Sequence, residues 1–264
     1  MEIAAKNLVY QYRNNGIVDN FVLSCPQLIC RGGEIIFILG PNGSGKTTLL
    51  GLLGGNLNAT SGNILIDGDD NGIDVKRSLR GKSVFLDTNI MDNMAKDLLV
   101  SDHLCLALKA NDKSLPFFSR FIKCDDLLSE YDVEDVITKE IGKIFTRKVG
   151  QLSSGQRQIL LITIAILLEK SIIIADESSN NMDLYNCRLH FNRLKKLSKN
   201  HQSIIAVATH DIMLAAEYGD SFYSVINGKV FPIIMDKTAS VHDKYYKILE
   251  AILPGMNSRE QFSG

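Results

Sequence analysis

The segment RGGEIIFILGPNGSGKTTLLGLLGG, residues 31 to 55, constrains this chain more than any other stretch. An isoleucine-rich apolar run meets a glycine-rich turn and then resumes with helical character, which predicts strand, loop and helix in that order. The turn, Gly40, Pro41, Asn42, Gly43, Ser44, Gly45, Lys46 and Thr47, has the spacing GxxxxGK[ST]. Glycines at 43 and 45 let successive backbone N–H groups turn inward as an anion nest, and the following helix adds its positive end. A nucleoside triphosphate suits this cradle. Lys46 reaches the β- and γ-phosphates, Thr47 offers a hydroxyl to Mg²⁺, and Thr48 bonds the α-phosphate.

Such a site needs a second, carboxylate platform. SIIIADE (171 to 177) and SIIAVATH (203 to 210) are apolar on both alternating faces and rich in β-branched residues, which predicts fully buried parallel strands. Between them NCRLHFNRLKKLSKN carries Leu189, Leu194 and Leu197 at rough helical spacing, so strand, helix and strand form a crossover unit. Loops at the carboxyl ends of parallel strands share one edge. Asp176 then lies beside the phosphate loop to hold Mg²⁺ through water, and Glu177 polarises the attacking water. The alternative is that the two carboxylates cap a following helix. A lone histidine is usually a packing or capping residue, but His210 ends the neighbouring strand at the same edge, where it suits a γ-phosphate contact.

Residues 88 to about 150 have another texture, with Leu98, Leu99, Leu104, Leu106 and Leu108, then Leu127, Leu128, Val133, Val136 and Ile137, recurring among charges. That pattern is helical, and it predicts an all-helical subdomain inserted into an α/β core. The expected division is a core of 1–87 and 151–235, an insert of 88–150, and a C-terminal helix and mobile tail over 236–264.

Composition narrows the partners. Lys plus Arg is 29 against 30 for Asp plus Glu, a formal charge of −1, so no general attraction to nucleic acid is available and any polyanion must be gripped locally. The longest near-apolar run, Ile159 to Leu168, falls short of the roughly 20 residues that span a bilayer. The N-terminus MEIAAKNLVYQYRNN lacks a secretory pattern, so the chain is expected to stay where it is made. The five cysteines, 25, 30, 105, 124 and 187, make no CxxC pair or metal spacing and are read as reduced, buried hydrophobes.

LSSGQRQ, Leu152 to Gln158, completes a recognisable order of motifs upstream of IIIADE. Ser153 followed three residues later by Gln156 is a capping box, and it starts an apolar helix whose N-terminal amides and serine hydroxyls form a second anion site. Across about residues 1 to 235 the sequence resembles the nucleotide-binding subunits of ATP-binding cassette (ABC) transporters, with LSSGQ similar to that family's LSGGQ signature and Ser154 where glycine is commoner. The resemblance implies a P-loop nucleotide hydrolase core with an antiparallel β subdomain and an inserted α-helical subdomain. It also implies ATP and Mg²⁺ as ligands. Gly40 to Thr48 match Walker A and Asp176 matches Walker B. Glu177 is then the catalytic base, Asn180, Asn181, Met182 and Asp183 the D-loop, and His210 the switch histidine. Ser153, Ser154, Gly155 and Gln156 would face the partner subunit's γ-phosphate. The adenine-stacking aromatic is Tyr12, with Tyr10 as the alternative.

Three departures stand out. Leu86 falls where a glutamine normally contacts Mg²⁺ and the attacking water, with Asp87 or Asn89 as substitutes; the D-loop is NNMD instead of SALD; and Ser178 replaces the usual proline. The family implies two ATP molecules sandwiched between two cassettes, as a homodimer or related heterodimer. It further implies a separate permease docked near residues 86 to 100 and a place on the cytoplasmic face of the membrane. DNMAKDLLVSDHLCLAL looks like the segment of importers served by a periplasmic or extracellular binding protein, which favours import over export. The alternatives are a soluble ABC ATPase without a transporter and, because of Leu86, a weakly hydrolysing regulatory cassette.

Overall fold

A computed structural model describes residues 1–14, 17–69, 75–86, 94–110, 123–128, 133, 135–176, 184–236 and 238–257. The chain divides into two compact units, Met1–Phe85 with Ser171–Ser178 and Lys195–Gly264, and Leu86–Lys170 with Ser179–Leu194.

The first unit is built on strands β1 (Glu2–Asn14), β2 (Ile17–Arg31), β3 (Ile35–Leu39), β4 (Ser61–Ile66), β5 (Ser83–Phe85), β6 (Ile172–Asp176), β7 (Ile204–Thr209), β8 (Ser221–Ile226) and β9 (Lys229–Ile233). They form a nine-stranded sheet in the order β4, β1, β2, β9, β8, β3, β7, β6, β5. From β8 through β5 every neighbouring pair is parallel, whereas β1 pairs antiparallel with both β2 and β4. The parallel strands are those with unbroken β-branched runs: IIFIL in β3 and IIAVAT in β7 are buried at every position, as expected where both faces are covered. Strand β2 instead alternates, burying Leu23 and Cys25 and then Leu28 and Cys30, with the two-residue rhythm slipping across Pro26.

Helices α1 (Lys46–Leu53) and α2 (Val75–Lys82) cover the sheet, α1 on β6 and β7 and α2 on β4 and β5. The core joins Ile36 and Ile38 of β3, Leu49, Leu50, Leu52 and Leu53 of α1, Ile172 and Ile174 of β6, and Ile204, Ala206 and Ala208 of β7. Burying each leucine or isoleucine contributes about 1.5–3 kcal/mol before the entropy of ordering is counted.

The second unit is helical: α3 (Val100–Ala110), α4 (Cys124–Leu128), α5 (Asp135–Ile144), a 3₁₀ turn (Val149–Gln151), α6 (Ser154–Leu167) and the first part of α7 (Leu184–His201). Helix α6 packs on α3 and α5. The chain returns to the first unit and ends in α8 (Ile212–Tyr218) and α9 (Val241–Asn257), which pack on each other. The α/β core, its antiparallel strands and the helical part match the fold that the motifs and the resemblance imply. The tail beyond Asn257 lies outside the described residues.

Among the described residues no helix is long and apolar enough to cross a membrane. The five cysteines are free thiols, and all but Cys124 are buried. Burial pushes Cys25 and Cys124 up to about 11 and raises Cys30 further, so none of these three is poised as a nucleophile.

Candidate functional site

The phosphate loop leaves β3 at Leu39 and enters α1 at Lys46. Gly45 is the helix N-cap in the left-handed region, φ 113°, and a Cβ there would lie 2.7 Å from the Phe21 ring. At Gly40 a Cβ would lie 2.2 Å from the carbonyl oxygen of Val225, so the loop is wedged against β8 and cannot accept side chains at these points. Lys46 folds back to donate from Nζ to the carbonyl oxygens of Gly40 (2.8 Å) and Pro41 (3.1 Å), which lays the ammonium across the mouth of the loop. Ser44 Oγ is buried, and among the described residues it has no hydrogen-bond partner. A buried hydroxyl left unmet costs about 1–3 kcal/mol, and a phosphate oxygen seated in the loop would satisfy it.

Sheet register brings the other expected residues to this edge. Leu39 pairs with Thr209, and Asp176 pairs with Ala208, so β3, β7 and β6 end level. The loop after β3, the carboxylate closing β6 and His210 after β7 therefore share one rim. The Thr47 hydroxyl donates to Asp176 Oδ2 at 2.6 Å, joining the first turn of α1 to the end of β6. A hydroxyl and a carboxylate in contact beside a phosphate cradle are a hard oxygen donor set of the kind Mg²⁺ prefers, with phosphate oxygens and water completing its shell. His210 is exposed, and the next residue, Asp211, caps α8 by accepting from the Leu214 amide at 3.0 Å. Glu177, Ser178, Asn180, Asn181, Met182 and Asp183 lie outside the described residues, as do Asp87 and Asn89.

The expected adenine-side aromatic also reaches the loop. Tyr12 is 38% exposed, and its hydroxyl lies 2.9 Å from Thr48 Oγ1, with either atom able to donate. Tyr10 meets it edge-on at 4.8 Å between centroids, and Phe21 of β2 lies 6.3 Å away on a tilt. Tyr10 packs against the core, while the hydroxyl of Tyr12 reaches Thr48 of α1. Phe21 was missed by motif reading because it sits in no motif; its place is fixed by strand pairing alone.

The signature turn lies in the second unit. Ser153 caps α6 with its Oγ accepting from the Gln156 amide at 3.3 Å, while the Ser153 amide donates to Gln156 Oε1 at 3.1 Å, so the capping box is formed in both directions. Arg147 holds the same Gln156 oxygen at 3.4 Å and donates to the carbonyl of Gln151 at 2.8 Å. Ser153, Ser154, Gly155 and Gln156 line a cavity of about 490 Å³ together with His190 and Arg193 of α7. Neither of those two residues was singled out from sequence, since HFNR inside a basic helix reads as a solvated face. Leu86, just past β5, is fully buried, so it serves as a packing group.

Residues 24–180 match the family model for the ABC transporter, more than half of the chain. The lipoprotein-releasing system ATP-binding protein LolD of Buchnera aphidicola (Schizaphis graminum) is 32% identical over 69% of this chain and 76% of its own. The phosphonates import ATP-binding protein PhnC of Fusobacterium nucleatum is 28% identical over 91% of this chain and 94% of its own. A bacterial ABC transporter cassette solved as a dimer, MJ0796, superposes with a TM-score of 0.65 at 25% identity, covering 86% of this chain and 96% of that one. The chain therefore belongs to the ABC transporter family, as an ATP-hydrolysing cassette.

Proposed function

We propose that the chain binds ATP with Mg²⁺ between its phosphate loop and Asp176, and hydrolyses it while pressed against a second cassette, driving a separate membrane permease. The observation that carries this reading is the 2.6 Å contact between Thr47 and Asp176 beside the Lys46-closed loop. Tyr12 stacks on adenine, with Tyr10 behind it. Amides of Gly40, Pro41, Asn42, Gly43, Ser44 and Gly45 wrap the phosphates, Lys46 neutralises their terminal charge, and Thr48 takes the α-phosphate. Thr47 and Asp176 hold Mg²⁺, which when bound offsets the charge that develops on the phosphoryl oxygens. Glu177 accepts the proton of the attacking water, and His210 holds the γ-phosphate from the neighbouring strand end.

Each chain carries one phosphate loop and one signature, so each site is completed by the other cassette in a head-to-tail dimer. Ser153, Ser154, Gly155 and Gln156 close on the partner's γ-phosphate, and Asn180 to Asp183 link the two sites. Nucleotide binding closes the dimer and loss of the γ-phosphate reopens it. The dimeric relative MJ0796 supports this arrangement, and the names of LolD and PhnC support service to a membrane transporter. The chain then sits at the cytoplasmic face, held by its permease, with no role for nucleic acid. The stretch after Leu86 favours import with an external binding protein.

The decisive experiment is steady-state hydrolysis of Mg-ATP by the purified chain and by Glu177→Gln. Turnover by the parent, abolished in the variant with ATP binding kept, is the expected result. Turnover surviving the substitution would remove Glu177 as base. The buried Leu86 is the one observation favouring a weakly hydrolysing regulatory cassette, and a parent that binds ATP without turnover would establish that reading instead.

A further inference from the structure

The signature turn is gripped from outside the motif by Arg147. The backbone of this arginine is tied on both sides: its amide donates to the Ile144 carbonyl at the close of α5 (2.8 Å), and its carbonyl accepts from the Val100 amide at the start of α3 (2.9 Å). The following residues continue the pairing, with the Val149 amide on the Leu98 carbonyl (3.0 Å) and the Gly150 amide on the Lys96 carbonyl (2.9 Å). The side chain of Arg147 therefore crosses to the turn from a fixed point.

The guanidinium reaches one acceptor before the helix cap and one after it. Nη2 donates to the Gln151 carbonyl at 2.8 Å, and Nη1 donates to Gln156 Oε1 at 3.4 Å. A planar fork of donors on a charged group suits two acceptors set apart in this way. Gln156 Oε1 also accepts from the Ser153 amide at 3.1 Å, so both of its lone pairs face donors. That fixes which way the Gln156 amide is turned, with its Nε2 donors away from the cap. Arg157 Nε holds the neighbouring Leu152 carbonyl at 3.0 Å, and the Leu152 amide donates to the Val149 carbonyl at 3.2 Å. The cap engages the Gln156 amide with Ser153 Oγ, while the Ser154 and Gly155 amides open α6 without an intrahelical acceptor.

The capping box itself needs only Ser153 and Gln156. What Arg147 adds is a restraint from α3 and α5 on a turn that otherwise depends on its own few residues. Arg147 is half-buried, and the packed interior of the unit, with Leu104 of α3, Ile141 of α5 and Leu160 of α6, does not include it. We propose that Arg147 is a positioning residue for the signature turn: it holds Ser153, Ser154 and Gly155 in the arrangement that closes on nucleotide carried by a second cassette. This role rests on the head-to-tail dimer given above.

The test compares the full chain with Arg147→Gln, alone and combined with Glu177→Gln. Three quantities are measured: ATP affinity at concentrations where the chain is monomeric, ATP-driven dimerisation in the Glu177→Gln background by sedimentation, and hydrogen exchange of the Ser153 and Gln156 amides without nucleotide. ATP affinity should stay within about twofold of the parent and the thermal midpoint should hardly move. Dimerisation should weaken about tenfold or more, and both amides should exchange about tenfold faster or more, the scale of one lost charge-assisted hydrogen bond. A purely structural role would lower ATP affinity and the thermal midpoint together with dimerisation, and that outcome overturns the assignment. Unchanged dimerisation or unchanged exchange overturns it as well. Should Arg147→Gln fail to fold, Arg147→Lys takes its place; a loss of about threefold or more in dimerisation is then expected, and a smaller one overturns the assignment. If Glu177→Gln itself does not dimerise with ATP, the head-to-tail reading fails, and the exchange rates alone decide whether Arg147 fixes the turn.

Discussion

Thr47 and Asp176 stand 129 positions apart in sequence and meet in a 2.6 Å hydrogen bond that ties the start of α1 to the end of β6. The contact places a hydroxyl and a carboxylate where a metal bridging the phosphates would need both. Asp176→Asn keeps the shape and removes the charge. ATP affinity measured with Mg²⁺ should fall about tenfold or more, equivalent to about 1.4 kcal/mol, while affinity measured in chelator should change little. Equal losses under both conditions would mean that Asp176 shapes the loop without handling metal.

Tyr12 touches Thr48 through its hydroxyl, so its ring and its oxygen have separable roles. Tyr12→Phe keeps the ring and should weaken ATP binding only about two- to threefold, the scale of one lost neutral hydrogen bond. Tyr12→Ala should cost tenfold or more for ATP and leave inorganic tripolyphosphate binding unchanged, because tripolyphosphate has no base to stack. If tripolyphosphate weakens equally, the tyrosine supports Thr48 and not adenine, and Tyr10 becomes the base platform.

How much of this was legible in sequence follows from which interactions are local. The loop between β3 and α1, the runs of β6 and β7, and the Ser153 to Gln156 cap each declare themselves within a few residues. Register then carries Asp176 and His210 to the loop without further information, because parallel neighbours end on one edge. What stayed hidden depends on packing between distant segments. Phe21 approaches Gly45 only because β2 crosses the loop. The antiparallel pairing of β1 with β2 and β4 came from resemblance alone, since Asn7 at φ 49° and Pro26 break the alternation that would have announced it. His190 sits among basic residues that read as solvent-facing, and its burial exists only in the folded unit.

Leu86 makes a departure from the family pattern testable as packing. Its side chain is fully buried, so restoring the family's glutamine would place an amide where leucine is dry. Leu86→Gln should destabilise the chain by about 1–3 kcal/mol and lower the thermal midpoint, without raising ATP turnover. A variant that turns over faster at an unchanged midpoint would show instead that the position faces the nucleotide.

His190 also sets an acid limit on stability. Its folded value lies near 4 against 6.5 for the free side chain, with burial the larger cause and Arg193 the smaller. Between those values the unfolded chain binds the proton more readily than the folded one, so the contribution is complete above pH 6.5 and is lost as pH falls toward 4. For a fully buried group the loss approaches about 3 kcal/mol. Denaturant midpoints of the parent should therefore decline across this window, and His190→Gln should flatten much of that decline whatever its stability at pH 7. Parallel declines in parent and variant would assign the acid sensitivity to carboxylates.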